Sequence, residues 1–592
     1  MDPLSMRFSL PAAKGAGALP TTSRLSSSES LRLSRVLAPE KRQHAGVADF
    51  GRAGVAATLL IAHSLCRKGG SKSSVSGSSA RKRMPESFQV PRPSTRASAT
   101  TKVMMMSSTA QVDNIELVVN DEVSDATHGV DLLGRPRVAM VQLGCSKNTV
   151  DAEVMLGDLV AKGHEVVQDP DDAEVIIVNT CGFIDDARED SVEALEEMSA
   201  LKDHKEGSPH APRLVVTGCM AQRYGSELIE LLPGIDAVVG FEHYPRLSET
   251  VVGLCSDSPV ESSSAGSAVQ VGTTSVPFRD EARRHRLTAP HTAYLRVAEG
   301  CDHTCTFCAI PSWRGSFRSK PYDQLLAEAK RLVSQGVREL CLIAEDTNQY
   351  GQDLGKEAPR LESLLYALEE LEGLHWVRLL YCFPSYFSDE LMEAIAACKK
   401  VCRCIDVPLQ HTSEGMLRRM KRPAREHTMK LLGRLQEKVP DLYFRTTMIS
   451  GFPGETEEEH NQLLEDISGA SGLRILRGGG FRYSEEEGTP AAVMDEAIDD
   501  EVRENRQFDV QEEFLTLQES WADEMVGQEV NVMIDRMEGD VAVGRTEYDA
   551  PEVDNEVLIV DVPLPLEPGT LLRCQVLERQ DRDLIAEVVG EA

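Results

Sequence analysis

The chain has 592 residues, room for three or four domains with substantial cores. It is 41% hydrophobic and 27% charged, an ordinary globular composition, and no run approaches the ~20 apolar residues of a bilayer span. A net charge of −32 excludes a general grip on phosphate backbones unless a local basic strip overrides the field, and it suits a basic partner.

Residues 1–110 carry 17 Lys and Arg against five Asp and Glu, are rich in Ser and Ala, and lack sustained periodicity. This is the composition of an organelle transit peptide or of a disordered basic tail, and the serine content leans toward a chloroplast or other plastid over a mitochondrion. Within it, Val55 to Leu65 is the longest apolar run; it is too short for a membrane span and is broken by His63. Fourteen cysteines are too scattered for a disulfide framework, so metal ligation or plain burial is expected in a reducing compartment.

From Arg137 a repeating pattern begins. Apolar runs at Arg137–Leu143, Glu174–Val178 and Arg213–Val216 end at Cys145, Cys181 and Cys219, with helix-like stretches between them and Ala237–Val239 closing the set. Strand and helix alternating in this way predict a doubly wound α/β domain over 137–253 with a parallel sheet. Residues 254–290, rich in Ser, Gly and Thr, read as a linker.

Over 291–525 six strand candidates (Ala293–Ala298, Glu339–Ala344, Trp376–Tyr381, Cys404–Pro408, Tyr443–Ser450 and Leu473–Arg477) alternate with helices. They predict a partial (βα)6 barrel whose strand ends build the site. A long helix over 500–525 places Phe508, Phe514, Leu517 and Trp521 at apolar positions. Short strands over 526–592 (Glu529–Ile534, Val541–Arg545, Val557–Val560, Leu571–Leu577) then predict a small β-barrel.

The sharpest chemical signal is Cys301-Asp302-His303-Thr304-Cys305-Thr306-Phe307-Cys308, directly after the first barrel strand. Three thiolates on one short loop can hold three irons of a [4Fe–4S] cubane and leave the fourth open to chelate S-adenosylmethionine. A zinc loop is the alternative, but no fourth Cys or His lies at zinc-ribbon spacing, and His303 between two cysteines reads as a loop residue. Cys145, Cys181 and Cys219 are a second constellation. Parallel strands end on one edge of their sheet, where open α/β sheets bind ligands, so three distant thiols converge there and offer a second cluster site.

Weaker signals remain. Gly451 and Gly454, after the strand ending at Ser450, would let backbone approach the cofactor, with Glu455 beside them. Thr456 with Glu459 is a capping box, so the acids 457–459 start a helix. Glu345-Asp346-Thr347 ends another strand at the barrel mouth, touching ligand or not. Cys341, Cys382 and Cys398 read as buried, and Cys402 and Cys404 form a close pair that could bind metal, with burial on one face of a strand the favoured reading.

From about Arg137 to the end, these residues resemble the methylthiotransferase family of radical-S-adenosylmethionine enzymes. Matching stretches are Leu143–Asn148, Asn179–Ile184, Thr217–Cys219 and the Cys301–Cys308 loop. Within the family the chain looks like the RimO branch, on Ile310–Gly315, Asp406–His411, Met420–Pro423 and Gly544–Asp554. Departures are Ser146 in place of the usual Pro, and Lys320 where Arg is usual. The resemblance implies a C-terminal TRAM barrel, two [4Fe–4S] clusters and S-adenosylmethionine. Cys301, Cys305 and Cys308 would be catalytic, and Phe307, Glu345, Gly451, Gly454 and Glu455 would be cofactor contacts. It also implies a methylthio group added to the β-carbon of an aspartate in small-subunit ribosomal protein twelve, with an electron donor such as ferredoxin or flavodoxin. A branch modifying an adenosine of transfer RNA is the runner-up, but 16 acids against five Lys and Arg from Gly527 onward should repel RNA. A non-catalytic iron–sulfur carrier or ribosome-assembly factor is the remaining alternative.

Overall fold

The computed structural model describes residues 135–204, 211–256, 268–273, 278, 281–560, 562 and 566–592. The transit-peptide expectation for 1–110 lies outside them.

Five parallel strands, β1 (Val138–Gln142), β2 (Val175–Thr180), β3 (Arg213–Thr217), β4 (Ala237–Val239) and β5 (Val269–Gln270), form the first sheet in that order. After the helix Ser146–Ala161 the chain first runs along the outer edge of β1. There the Val138 N–H donates to the Glu165 carbonyl at 2.8 Å, and the Val167 N–H donates to the Val138 carbonyl at 2.9 Å. It then crosses to the other side of β1 to make β2. The winding therefore reverses between β1 and β2, which makes their C-terminal ends a topological switch point.

The helices Ser146–Ala161 and Leu247–Cys255 seal one face, with Met155, Leu159, Leu247 and Val251 against Val138, Val175, Ile177 and Val215. The helix Asp185–His204 covers the other, where Ile176, Val178, Leu214 and Val216 are buried. Burial on both faces explains the unbroken Val/Ile runs. The linker expectation for 254–290 needs correction: Val269–Gln270 pairs with β4, and Glu281 is buried, accepting from Arg296 and Lys320. A two-residue strand and a charge whose partners lie in the next domain leave no periodic trace in a Ser/Gly-rich stretch.

The central domain opens with β6 (Thr292–Arg296), followed by a small antiparallel pair, β7 (Ala298–Glu299) and β8 (Arg318–Ser319). Then come β9 (Glu339–Ile343), β10 (Trp376–Leu379), β11 (Cys404–Asp406), β12 (Tyr443–Ser450) and β13 (Ile475–Arg482). Two parallel sheets, ordered β10-β9-β6 and β11-β12-β13, meet at a seam. There the Val377 N–H donates to Lys400 O (2.7 Å) and the Cys382 N–H to Asp406 O (2.9 Å). Six strands thus curve in sequence order into an open barrel around an aliphatic core.

The Thr456–Glu459 capping box is formed and starts the helix Glu457–Glu465. The helix Asp500–Met525 closes the barrel's side by setting Val510 and Phe514 against Gly480 and Gly478 of β13. Phe508, expected on its apolar stripe, is 61% exposed. It lies two residues from Val510, about 200° around the helix, and so faces away from the barrel.

The last domain is a closed barrel, β14 (Glu529–Glu538), β15 (Val541–Arg545), β16 (Val557–Val560), β18 (Asp583–Glu591) and β17 (Leu571–Gln580) in that spatial order. Its inward residues include Val532, Ile534, Ile559, Val576 and Ala586. The stretch Arg545–Asp554 leaves it and docks under the central barrel. Among the described residues, no helix is long and apolar enough to cross a membrane.

Candidate functional site: two cysteine triads at one mouth

Cys145, Cys181 and Cys219 directly follow β1, β2 and the β3–Gly218 junction, on the edge that holds the switch point. Glycine geometry lets these ends come close. Gly144 has φ +89°, and a Cβ there would lie 3.0 Å from Cys181 Cβ and 3.3 Å from its Sγ. Gly218 has φ +93°, and a Cβ there would sit 2.3 Å from the Thr180 carbonyl. Cys219 Sγ lies 3.4 Å from Asn148 Oδ1, and Arg314 Nη2 donates to that sulfur at 3.5 Å. Burial pushes the Cys219 thiol up to about 11 and the Cys181 thiol higher still, so both are neutral until a metal displaces the proton.

Cys301, Cys305 and Cys308 occupy the loop between β7 and β8, and that loop is fixed along its length. The Cys301 N–H donates to Gly315 O (3.1 Å), and the Phe317 N–H donates to Asp302 Oδ1 (3.1 Å). Thr306 donates its N–H to Met420 O (3.1 Å) and its hydroxyl to Arg419 O (2.8 Å). His303 Nε2 lies 2.6 Å from Asp346 Oδ2, and its ring stacks on Phe383 with centroids 3.6 Å apart. Arg422 also packs on Phe383, at 4.2 Å, and brings Nη1 to 3.7 Å from Cys305 Sγ. Burial pushes Cys308 up to about 12 and Cys301 beyond.

Among the described residues no three His, Cys, Asp or Glu side chains close round a single ion. The thiolates of a cubane sit on different irons, so they do not need to. Three soft sulfur donors with an arginine N–H directed at one of them fit that group at each triad.

The two sites meet at the barrel mouth. Arg314, buried at the end of the helix Ile310–Arg314, donates to Asn148 Oδ1 (2.8 Å), Asp151 Oδ2 (3.0 Å) and Glu299 Oε1 (2.7 Å). Its Nε lies 3.8 Å from Glu345 Oε1, just past the end of β9. Ser146 Oγ is 3.5 Å from Tyr381 Oη, and Lys147 Nζ stands 3.3 Å above the Tyr381 ring. Around this space Glu345 Oε2, Asp346 Oδ1, Thr412 Oγ1 and Ser450 Oγ are buried without a hydrogen-bond partner.

Several expected contacts have other work. A Cβ at Gly451 would meet Arg503 Cγ at 2.2 Å, and one at Gly454 would meet Arg419 Nη1 at 2.3 Å, so what approaches these glycines is protein. The Glu455 carboxylate is spent on His411 (3.0 Å), the Gly451 N–H (2.6 Å) and Arg506 (2.8 Å), which ties β12 to the helix Asp500–Met525. Those partners, from three separate segments, could not be paired by spacing alone. Phe307 lies against the apolar cluster of Met416, Met420, Phe452 and Tyr483. Glu345 does face the mouth. Sequence reasoning assigned no part to Lys147, Arg314, Tyr381 or Arg422. The available signal was position: Lys147 lies two residues past Cys145, and Arg314 lies in the short helix after Cys308.

A radical-S-adenosylmethionine loop on a partial parallel barrel defines the class of protein. Residues 295–467 match the Radical SAM superfamily, 137–240 the "Uncharacterized protein family UPF0004" and 526–589 the TRAM domain. A "Ribosomal protein uS12 methylthiotransferase RimO" of Clostridium tetani is 38% identical over 461 residues, 77% of this chain and 99% of that protein. A protein of the same name from Desulfitobacterium hafniense is 40% identical over 459 residues, 76% and 98% respectively. The chain belongs to the RimO family of radical-S-adenosylmethionine methylthiotransferases, and membership implies a [4Fe–4S] cluster and S-adenosylmethionine. Among solved structures, the cobalamin-dependent S-adenosylmethionine radical enzyme OxsB aligns over 65% of this chain and 58% of its own, with 14% identity and a TM-score of 0.45.

Proposed function

We propose that this chain adds a methylthio group to the β-carbon of an aspartate in ribosomal protein uS12, using two [4Fe–4S] clusters. The observation that carries the reading is the second cysteine triad, set at a switch point and joined to the barrel mouth through Arg314. A radical-forming loop alone serves many reactions, whereas three further thiols at the same mouth give sulfur a place to be held. When bound, the Cys301/Cys305/Cys308 cluster supplies the electron that cleaves S-adenosylmethionine, a cluster on Cys145/Cys181/Cys219 supplies or carries the sulfur, and a second S-adenosylmethionine supplies the methyl group. The chain's own residues do the rest. His303, Asp346 and Phe383 fix the loop, Arg422 and Arg314 each direct an N–H at one thiol, and the buried Arg314 ties the two sites together.

The acidic C-terminal barrel, with 16 acids against five Lys and Arg over 527–592, favours a basic ribosomal protein over RNA. A one-electron donor of the ferredoxin or flavodoxin type completes the reaction. The basic, Ser-rich residues 1–110 support delivery to a plastid. The reading is tested by incubating reconstituted enzyme, S-adenosylmethionine and reductant with a uS12 peptide containing the aspartate. The expected product carries the mass of a methylthio group in place of one hydrogen; deoxyadenosine without any peptide modification refutes the assignment.

A further inference from the structure

We propose that Lys147 is the anchor for the side-chain carboxylate of the target aspartate, an inference that rests on the function proposed above. Lys147 is 7% exposed, and its Nζ stands 3.3 Å above the face of the Tyr381 ring, with Glu345 and Cys145 within electrostatic reach. Among the described residues, no hydrogen bond or ion pair reaches that ammonium. A ring face attracts a cation but accepts none of its three N–H groups in the manner of an oxygen. An ammonium on a largely buried side chain, with no protein oxygen on its donors, gains from an anion that a ligand brings to it.

The surroundings suit such an anion. Ser146 Oγ and Tyr381 Oη, 3.5 Å apart, flank Lys147, and either hydroxyl can donate to a carboxylate oxygen. Ser146 and Lys147 form the first turn of the 16-residue helix Ser146–Ala161, whose positive end favours negative charge. Tyr381 has φ +59°, the left-handed region that a non-glycine residue avoids. It is held there because its N–H donates to Asp406 Oδ2 (2.9 Å) and its carbonyl accepts the Thr347 N–H (3.0 Å). Strain of this kind persists where the surrounding structure over-determines a residue, and it gathers at ligand-binding positions.

Two carboxylates enter this mouth. That of S-adenosylmethionine would be held by the cluster that Cys301, Cys305 and Cys308 carry when it is bound. The carboxylate that remains is the target's, and the carbon that accepts sulfur is its immediate neighbour. Lys147 is two residues from Cys145, so a carboxylate anchored on it brings that carbon to the triad that holds the sulfur.

The experiment uses the full chain, reconstituted anaerobically, as wild type, Lys147→Met and Lys147→Arg. Each is titrated by fluorescence anisotropy with a uS12 peptide and with the same peptide bearing Asn for the target Asp. Iron content, the electron paramagnetic resonance of the reduced clusters and peptide-independent deoxyadenosine formation are measured in parallel. The wild type should prefer the Asp peptide by on the order of tenfold, as one charge-assisted hydrogen bond supplies. Lys147→Met should lose that preference with iron and S-adenosylmethionine cleavage unchanged, and Lys147→Arg should keep part of it.

An unchanged preference in Lys147→Met overturns the inference. So does a preference lost only together with iron, which makes Lys147 a counter-ion of the second cluster. Weakened S-adenosylmethionine binding with normal peptide binding also overturns it, assigning the residue to the cofactor's carboxylate. Wild-type enzyme that leaves the Asp peptide unmodified refutes the function itself, whereas wild-type turnover beside an indifferent Lys147→Met refutes this inference alone.

Discussion

The two ends of the central barrel bury the same kinds of side chain and treat them in opposite ways. At the N-terminal ends of the strands, Glu339 is fully buried and accepts from Arg378 Nε and Arg545 Nη2, each at 2.8 Å. Asp549 holds Arg477 (2.9 Å), Asp554 holds Arg445, and Asp535 holds both Arg545 (2.8 Å) and His291 (2.8 Å). Nearly every charge on this floor is answered by one from the Arg545–Asp554 stretch or from β14. At the mouth Glu345, Asp346, Thr412 and Ser450 are also withdrawn from water, yet each keeps a polar atom that nothing in the chain satisfies. On the floor the carboxylate oxygens of Glu339, Asp535, Asp549 and Asp554 are all paired, and only single donor atoms of Arg378, Arg477 and His291 are left over. At the mouth it is carboxylate and hydroxyl oxygens that are left, so the floor reads as architecture and the mouth as a receptor for ligands. The stretch Gly544–Asp554, whose sequence resembles the RimO branch, turns out to serve this floor.

The contrast predicts that mouth substitutions remove chemistry while floor substitutions remove stability. The largest effect is expected for Cys301→Ala, which should abolish S-adenosylmethionine cleavage, read as deoxyadenosine by chromatography, with the denaturant midpoint nearly unchanged. Cleavage that survives would break the assignment of the mouth. Cys145→Ala should leave cleavage intact and end methylthio incorporation, read by peptide mass. Incorporation at the wild-type rate would show that the triads do not divide the work.

On the floor, Glu339→Ala leaves Arg378 without a carboxylate partner and Arg545 with Asp535 alone. It should destabilise the protein by about 3–5 kcal/mol in urea unfolding, while the fraction still folded cleaves normally. A change near zero would mean that the floor pairs are dispensable.

The smallest effect concerns pH. Burial works to raise Glu339, but Arg545 and then Arg378 outweigh it and hold its carboxyl below the ordinary 4.5. Asp554 is likewise held below 3.8, by Arg445 and then Arg477 against burial. Groups depressed in the folded state bind fewer protons there than in the unfolded chain. Their stabilisation is therefore complete above the ordinary values and lost as pH falls through the folded ones. Urea midpoints should drop on acidification below about pH 4.5, and Glu339→Gln should flatten that limb.

By itself the sequence determined the local features: the Cys301–Cys308 loop, the order of strands and helices, the Thr456–Glu459 cap, and the set of cysteines at strand ends. Each depends on spacing within a few residues or on a short periodicity, which the chain carries in its order. Tertiary structure decided which buried charges are answered. Glu455 is consumed by His411 and Arg506, and Gly451 and Gly454 give way to Arg503 and Arg419, while Glu345 is left open. It also decided that a two-residue strand and Glu281 inside an apparent linker belong to the packed body. Pairing of this kind joins residues far apart in the chain. Its energy comes from desolvation in a shared interior, which exists only once the domains have closed on one another.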